Sequence, residues 1–204
     1  MDAVRMDTEQ VWTTIEAQRR DLADLLETLD DDAWDRPSLC EGWRVRDVAA
    51  HVTLAARARP LQAMVGLLRA GGSFNGYVRS DAVSRARNRT PAVLVAEIRD
   101  VAGVRHHPPG TTILDPLVDV LVHGQDIAVP LGIDRPMPPD AALAAADRVW
   151  SMGFPFRARK RLRDRRLVAT NADWSAGDGG TTVEAPIEDL LLLLTGRSPT
   201  HGAD

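Results

Sequence analysis

From position 11 onward the apolar residues Val11, Trp12, Ile15, Leu22, Leu25, Leu26 and Leu29 recur three or four apart, the spacing of one helix face and not the alternation of a strand. Asp7 and Thr8, both cap-type residues, stand just ahead of them. The chain therefore opens on a long amphipathic helix, and its apolar stripe has to be covered by other elements. The acidic Asp30-Asp31-Asp32 run and Pro37-Ser38 break this helix. After Gly42 a second helical pattern starts near Val45 and runs toward Leu68, with Pro60 kinking or dividing it and Gly71-Gly72 ending it. Thr90-Pro91 and Asp115-Pro116 each read as an N-cap followed by proline at the first helical position, which predicts helices over 91–104 and 116–129. Between them, Arg105-His106-His107-Pro108-Pro109-Gly110 is a loop. Pro138-Pro139 introduces a further helix from Asp140 to about Met152.

After Phe154-Pro155-Phe156 the text changes character. A dense basic stretch, Arg157 to Arg166, leads into Leu167-Val168-Ala169-Thr170, Asp173-Trp174-Ser175, a Gly177 to Gly180 turn and Thr182-Val183-Glu184, which predict two or three short strands. Pro186 then opens a short apolar helix, Ile187 to Leu194, stopped by Gly196. The expected fold is mainly α: an antiparallel helical bundle over 1–153 and a small α+β segment over 154–204. A length of 204 residues suits one core with an appendage better than two full domains. No internal repeat or low-complexity linker divides it.

Charge and cysteine content narrow the function. Lys and Arg number 25 against 29 Asp and Glu, a net charge of −4, which disfavours a general nucleic-acid coat. No apolar run approaches the ~20 residues of a membrane span, and MDAVRMDTEQ lacks the order of a secretion signal, so the expectation is a soluble cytoplasmic protein. With one cysteine, Cys40, there is no internal disulfide and no multi-cysteine metal cluster, so any metal must be held by histidine and carboxylate.

Candidates for such a site stand on two helices. His51 shares a stripe with Val48, Val52 and Ala55, and a buried imidazole needs a partner. Asp119 and His123 are four apart and Asp126 three further on, so carboxylate, imidazole and carboxylate stack along one face, while Leu117, Val120, Leu121 and Gly124 take another. An i, i+4 carboxylate–histidine pair with a histidine from a neighbouring helix is a way bundles build interior metal sites with an open fourth position. The residues alone favour a core histidine beside an Asp119–His123 surface pair worth ~0.3–0.5 kcal/mol. Cys40, between Leu39 and Trp43, reads as a small buried hydrophobe. His106 and His107 read as exposed loop residues, and Trp43, Trp150 and Trp174 as packing residues between bundle and tail. The Arg157 to Arg166 stretch has no aromatic residue to stack on bases and reads as a solvated face, with a narrower reading in which one arginine grips a carboxylate of a small ligand.

Pro37-Ser38-Leu39-Cys40-Glu41-Gly42-Trp43-Arg44-Val45-Arg46-Asp47-Val48-Ala49-Ala50-His51 resembles the signature before the first metal-binding histidine of the mycothiol-dependent maleylpyruvate isomerase family, a branch of the DinB-like metalloenzymes. Asp119-Val120-Leu121-Val122-His123-Gly124-Gln125-Asp126-Ile127 resembles its second signature, and the stretch from Asp173-Trp174-Ser175 to Gly196-Arg197 is similar to the C-terminal segment of small members. The resemblance implies a four-helix bundle in which His51, Asp119 and His123 hold a divalent metal, zinc above all, with Asp126 as an additional ligand or a support behind them. The family pattern has glutamate where this chain has Asp119, one methylene shorter, so the helices must approach more closely, or Asp126 or a water must complete the shell. The implied chemistry is thiol activation: the metal stabilises the thiolate of mycothiol, which attacks a small electrophile in a transfer or an isomerisation. The tail is expected to be shorter than the isomerase's own C-terminal domain. The alternative is a non-catalytic metal-binding or dimerisation protein on the same bundle. Relatives of the bundle often pair through helices, which makes a homodimer the oligomer to test.

Overall fold

The computed structural model describes residues 6–57, 74–108 and 110–198. The chain divides into two compact units, Trp12–Arg135 and the residues from Pro136 onward together with those ahead of Trp12. As the sequence predicts, the described residues are mainly helical, with one small sheet near the C-terminus. Among them no helix is long and apolar enough to cross a membrane.

Helix α1 (Thr8–Glu27) starts on a reciprocal cap, in which the Gln10 N–H donates to the Asp7 carboxylate and the Asp7 N–H to the Gln10 side chain. Ile15, Leu22 and Leu26 of its apolar stripe are buried. The acidic run expected only to break α1 forms a turn of its own, α2 (Asp31–Trp34), because the Asp30 carboxylate accepts the Ala33 N–H and Trp34 is buried. Then follow α3 (Val45–Val52), α4 (Leu54–Arg57), α5 (Phe74–Arg87), α6 (Pro91–Val101) and α7 (Leu114–Leu131). Pro60, Leu68 and Gly71-Gly72, the expected kink and end of the second helix, lie outside the described residues. Helix α3 packs against α5, α6 and α7, and Val45, Val48, Ala49 and Val52 sink into a core with Leu94, Ile98 and Ile127. The buried Arg19 guanidinium donates to the carbonyls of Val101 and Val104, closing the C-terminal end of α6.

The second unit holds α8 (Pro139–Ser151), α9 (Ala158–Arg161), strands β1 (Arg165–Ala169), β2 (Ser175–Ala176) and β3 (Thr181–Ala185), and α10 (Ile187–Thr195). The sheet order is β2-β1-β3, with β1 antiparallel to β2 and parallel to β3. A Cβ at Gly177 or Gly179 would run into the backbone of Asp164 or Arg165, so this turn needs glycine at both places. Helix α8 packs along α10 and so joins the C-terminal unit, whereas the change in sequence character falls after residue 153. Gly196 ends α10 in the left-handed conformation.

Candidate metal centre

His51 sits in the last turn of α3, and Asp119 and His123 one turn apart on α7. The packing of α3 on α7 brings the three together: Asp119 Oδ1 is 3.5 Å from His51 Nε2 and 3.5 Å from His123 Nε2. All three donor atoms lie within 4.8 Å of one another. The two imidazoles meet edge to face at 4.7 Å, which is how the shorter aspartate is reached from both sides. A spacing of 3.5 Å is long for an N–H···O bond. It is close to the roughly 3.3 Å that separates ligand atoms standing ~2.0–2.1 Å from a tetrahedral zinc. Two imidazole nitrogens and one carboxylate oxygen are also a donor set that suits a divalent ion of this kind, so the residues present fit the group.

The other edge of His123 is held from behind. Its Nδ1 is 2.8 Å from Asp126 Oδ2, and Asp126 is fully buried. Asp126 therefore stands behind the imidazole, on the ring nitrogen remote from Asp119, the position of a carboxylate that orients a metal-binding histidine. His51 has no such support: its Nδ1 is buried and has no hydrogen-bond partner among the described residues.

Two residues at this site escaped the sequence reading. Cys40 is half-buried and packs against the core as expected, but its thiol also donates to Asp126 Oδ2 at 3.0 Å, so it is a polar neighbour of His123 as well. Trp43 packs edge-on to His51 at 5.1 Å and stacks over His123 at 6.3 Å, so its work is to wall the two imidazoles. The one signal for either was their place in the Pro37 to His51 stretch.

The charges are set by the same neighbours. Burial pushes the Asp119 carboxyl upward, but the contact with His51 and the charges of His123, His51 and Arg19 outweigh it and hold the group below its ordinary value. For His123 burial works downward, and the bonds to Asp126 and Cys40 with the charge of Asp119 reverse it, raising the imidazole to about 10. Both carboxylates thus favour the protonated form of the ring.

The other candidates have local roles. His106 is exposed, while His107 is half-buried and bonds within its loop to Thr111 Oγ1 at 3.2 Å. Trp174 Nε1 donates to Asp147, tying the strand region to α8. In the basic stretch Arg161 donates to the Leu193 and Leu194 carbonyls at the end of α10, and Arg159 lies over the Trp150 ring.

A family model for the mycothiol maleylpyruvate isomerase N-terminal domain matches residues 15–128, a span that contains His51, Asp119 and His123. Among solved structures, the crystal structure of the mycothiol-dependent maleylpyruvate isomerase aligns at 14% identity with a TM-score of 0.62, covering 95% of this chain and 90% of that one. A histidine-to-alanine mutant of that isomerase aligns at 16% identity and a TM-score of 0.63 over the same shares. At these identities the likeness is one of fold. It spans most of the isomerase chain, so the expectation of a tail well short of the isomerase's own is corrected. No curated protein matches the chain.

Proposed function

As this chain belongs to the mycothiol maleylpyruvate isomerase N-terminal domain family, we propose that it is a cytoplasmic metal-dependent enzyme that uses mycothiol to transfer to, or isomerise, a small electrophile. The observation that carries the reading is the single carboxylate oxygen of Asp119 standing 3.5 Å from both imidazole nitrogens, inside the matched span. His51, Asp119 and His123 would hold a divalent ion, zinc first, with Asp126 supporting His123. Such an ion supplies the stabilisation of a coordinated thiolate, the nucleophilic form of a thiol that is otherwise mostly protonated at neutral pH.

The chain's own groups prepare the place. Asp119, with its carboxyl held low, stays anionic and supplies the one negative charge among the three. Asp126 fixes the His123 ring through Nδ1, which leaves Nε2 turned toward Asp119. Trp43 covers both rings and keeps water off their apolar faces.

The test is the metal content of untagged protein purified without added metal, beside folded His51→Ala and His123→Ala variants. Near-stoichiometric divalent metal that both variants lose is the expected result, and it leads to a screen of electrophiles with and without mycothiol. A wild type that is metal-free and takes up neither zinc, nickel nor manganese returns these residues to a buried polar cluster in a non-catalytic protein.

A further inference from the structure

The Cys40 thiol reaches α7 from a loop braced on itself and on that helix. Within the loop the Trp43 N–H donates to the Cys40 carbonyl at 2.9 Å and the Cys40 N–H to Ser38 Oγ at 3.1 Å. The Leu39 N–H donates to the Asp126 carbonyl at 3.0 Å, so the loop and the buried aspartate are fixed to each other through the backbone. From there the thiol donates to Asp126 Oδ2 at 3.0 Å, the same oxygen that lies 2.8 Å from His123 Nδ1. The sulfur itself is 3.8 Å from that nitrogen. The two contacts to the oxygen have the lengths of hydrogen bonds; sulfur and nitrogen around a shared zinc would stand about 3.3–3.5 Å from it. A fully buried carboxylate keeps its place only where donors are supplied to it, and here the Cys40 thiol and the His123 ring meet on one oxygen.

We infer that Cys40 is a positioning residue: its S–H shares the Asp126 oxygen with the His123 ring and, through that carboxylate, sets how the ring presents Nε2 to the metal. This rests on the proposed metal role of His123. Cys40 neither touches the ion nor acts as a nucleophile; it competes with the His123 ring for one oxygen of Asp126.

The experiment follows the S–H stretch, a single band because the chain has one cysteine, and titrates cobalt into the wild type, Cys40→Ala and Cys40→Ser. The expected wild-type band lies at the lowered frequency of a hydrogen-bonded thiol and persists when cobalt is bound. Cys40→Ala binds cobalt about ten-fold more weakly, the lower end of what supporting residues contribute, and Cys40→Ser, whose hydroxyl donates to the same oxygen, recovers most of that loss. In the zinc-loaded protein the His123 Nδ1–H proton resonance moves downfield in Cys40→Ala, because the oxygen has then lost a competing donor, and returns in Cys40→Ser. The inference is overturned by a band at the frequency of a free thiol, or by its loss on loading with a sulfur-to-cobalt charge-transfer absorption, which would make Cys40 a ligand. It is overturned equally by a Cys40→Ala variant with wild-type affinity and an unmoved resonance. A wild type that binds no cobalt removes the metal reading itself, and the positioning role falls with it although the S–H band still reports the bond.

Discussion

At the scale of single residues the site turns on which groups carry charge before a metal arrives. His123 is raised from 6.5 to about 10, chiefly by Asp126, Cys40 and Asp119 acting against the cost of burial. A group raised on folding lends stability that is fully present below its unfolded value near 6.5 and is lost as pH climbs through about 10. A metal ion at Nε2 has to displace that proton, so zinc affinity should rise by about one log unit per pH unit between roughly pH 7 and 9. Competition against a chromophoric chelator at three pH values checks it, and a flat profile would mean that metal-free His123 is already neutral. In the proposed site Asp119 would supply the anionic ligand, for which its amide is a far poorer substitute. Asp119→Asn should therefore weaken zinc binding by more than the 10–100-fold typical of supporting residues, with the helical circular-dichroism signal unchanged.

At the scale of elements, α3 has eight residues to hold His51, and its start is secured by Asp47. That buried carboxylate accepts the Arg44 N–H at 2.9 Å and the Arg44 guanidinium at 3.2 Å. Asp47→Ala should cost about 1–2 kcal/mol in urea unfolding, the loss of a helix cap, and should loosen metal binding through His51. In α7 the constraint is room: a Cβ at Gly124 would strike the Arg135 guanidinium, which is itself tied to the Gln18 carbonyl and Asp21. Gly124→Ala should destabilise by about 1–3 kcal/mol, and a stabilised variant would show that Arg135 moves aside freely. Elements of this kind differ in how much of them the sequence discloses. Helices α1, α6 and α10 carry large apolar residues in helical period between recognisable caps, and these are local signals. Helix α5 escaped because it turns small residues, Ala82 and Ala86, into the core, which leave no stripe to read. The parallel pairing of β1 with β3 depends on how the eleven-residue excursion over 170–180 returns, which strand periodicity does not encode. His51, Asp119 and His123 were named from spacing and resemblance, whereas the Cys40 contact joins positions 83 and 86 apart and becomes visible only when the loop is seen against α7.

At the scale of the whole molecule, every group of the proposed centre, Trp43 and Cys40 included, belongs to the compact unit Trp12–Arg135. The proposed ligands come from two helices, 68 positions apart between His51 and Asp119, so an unfolded chain presents no preformed site, and the free energy of binding a metal there would become free energy of folding. Free zinc at a hundred times its dissociation constant should add about 2.7 kcal/mol to the stability of the folded state. For a unit of this size that is a rise of roughly 10 °C in the thermal midpoint. A chelator should return the midpoint to that of the metal-free protein, and the His51→Ala, His123→Ala double variant should show neither the rise nor the fall. The comparison of the two proteins carries the argument, because zinc also stabilises chains through stray surface carboxylates. An increment of equal size in the double variant would place the bound metal elsewhere on the molecule and leave the three residues as an ordinary buried cluster.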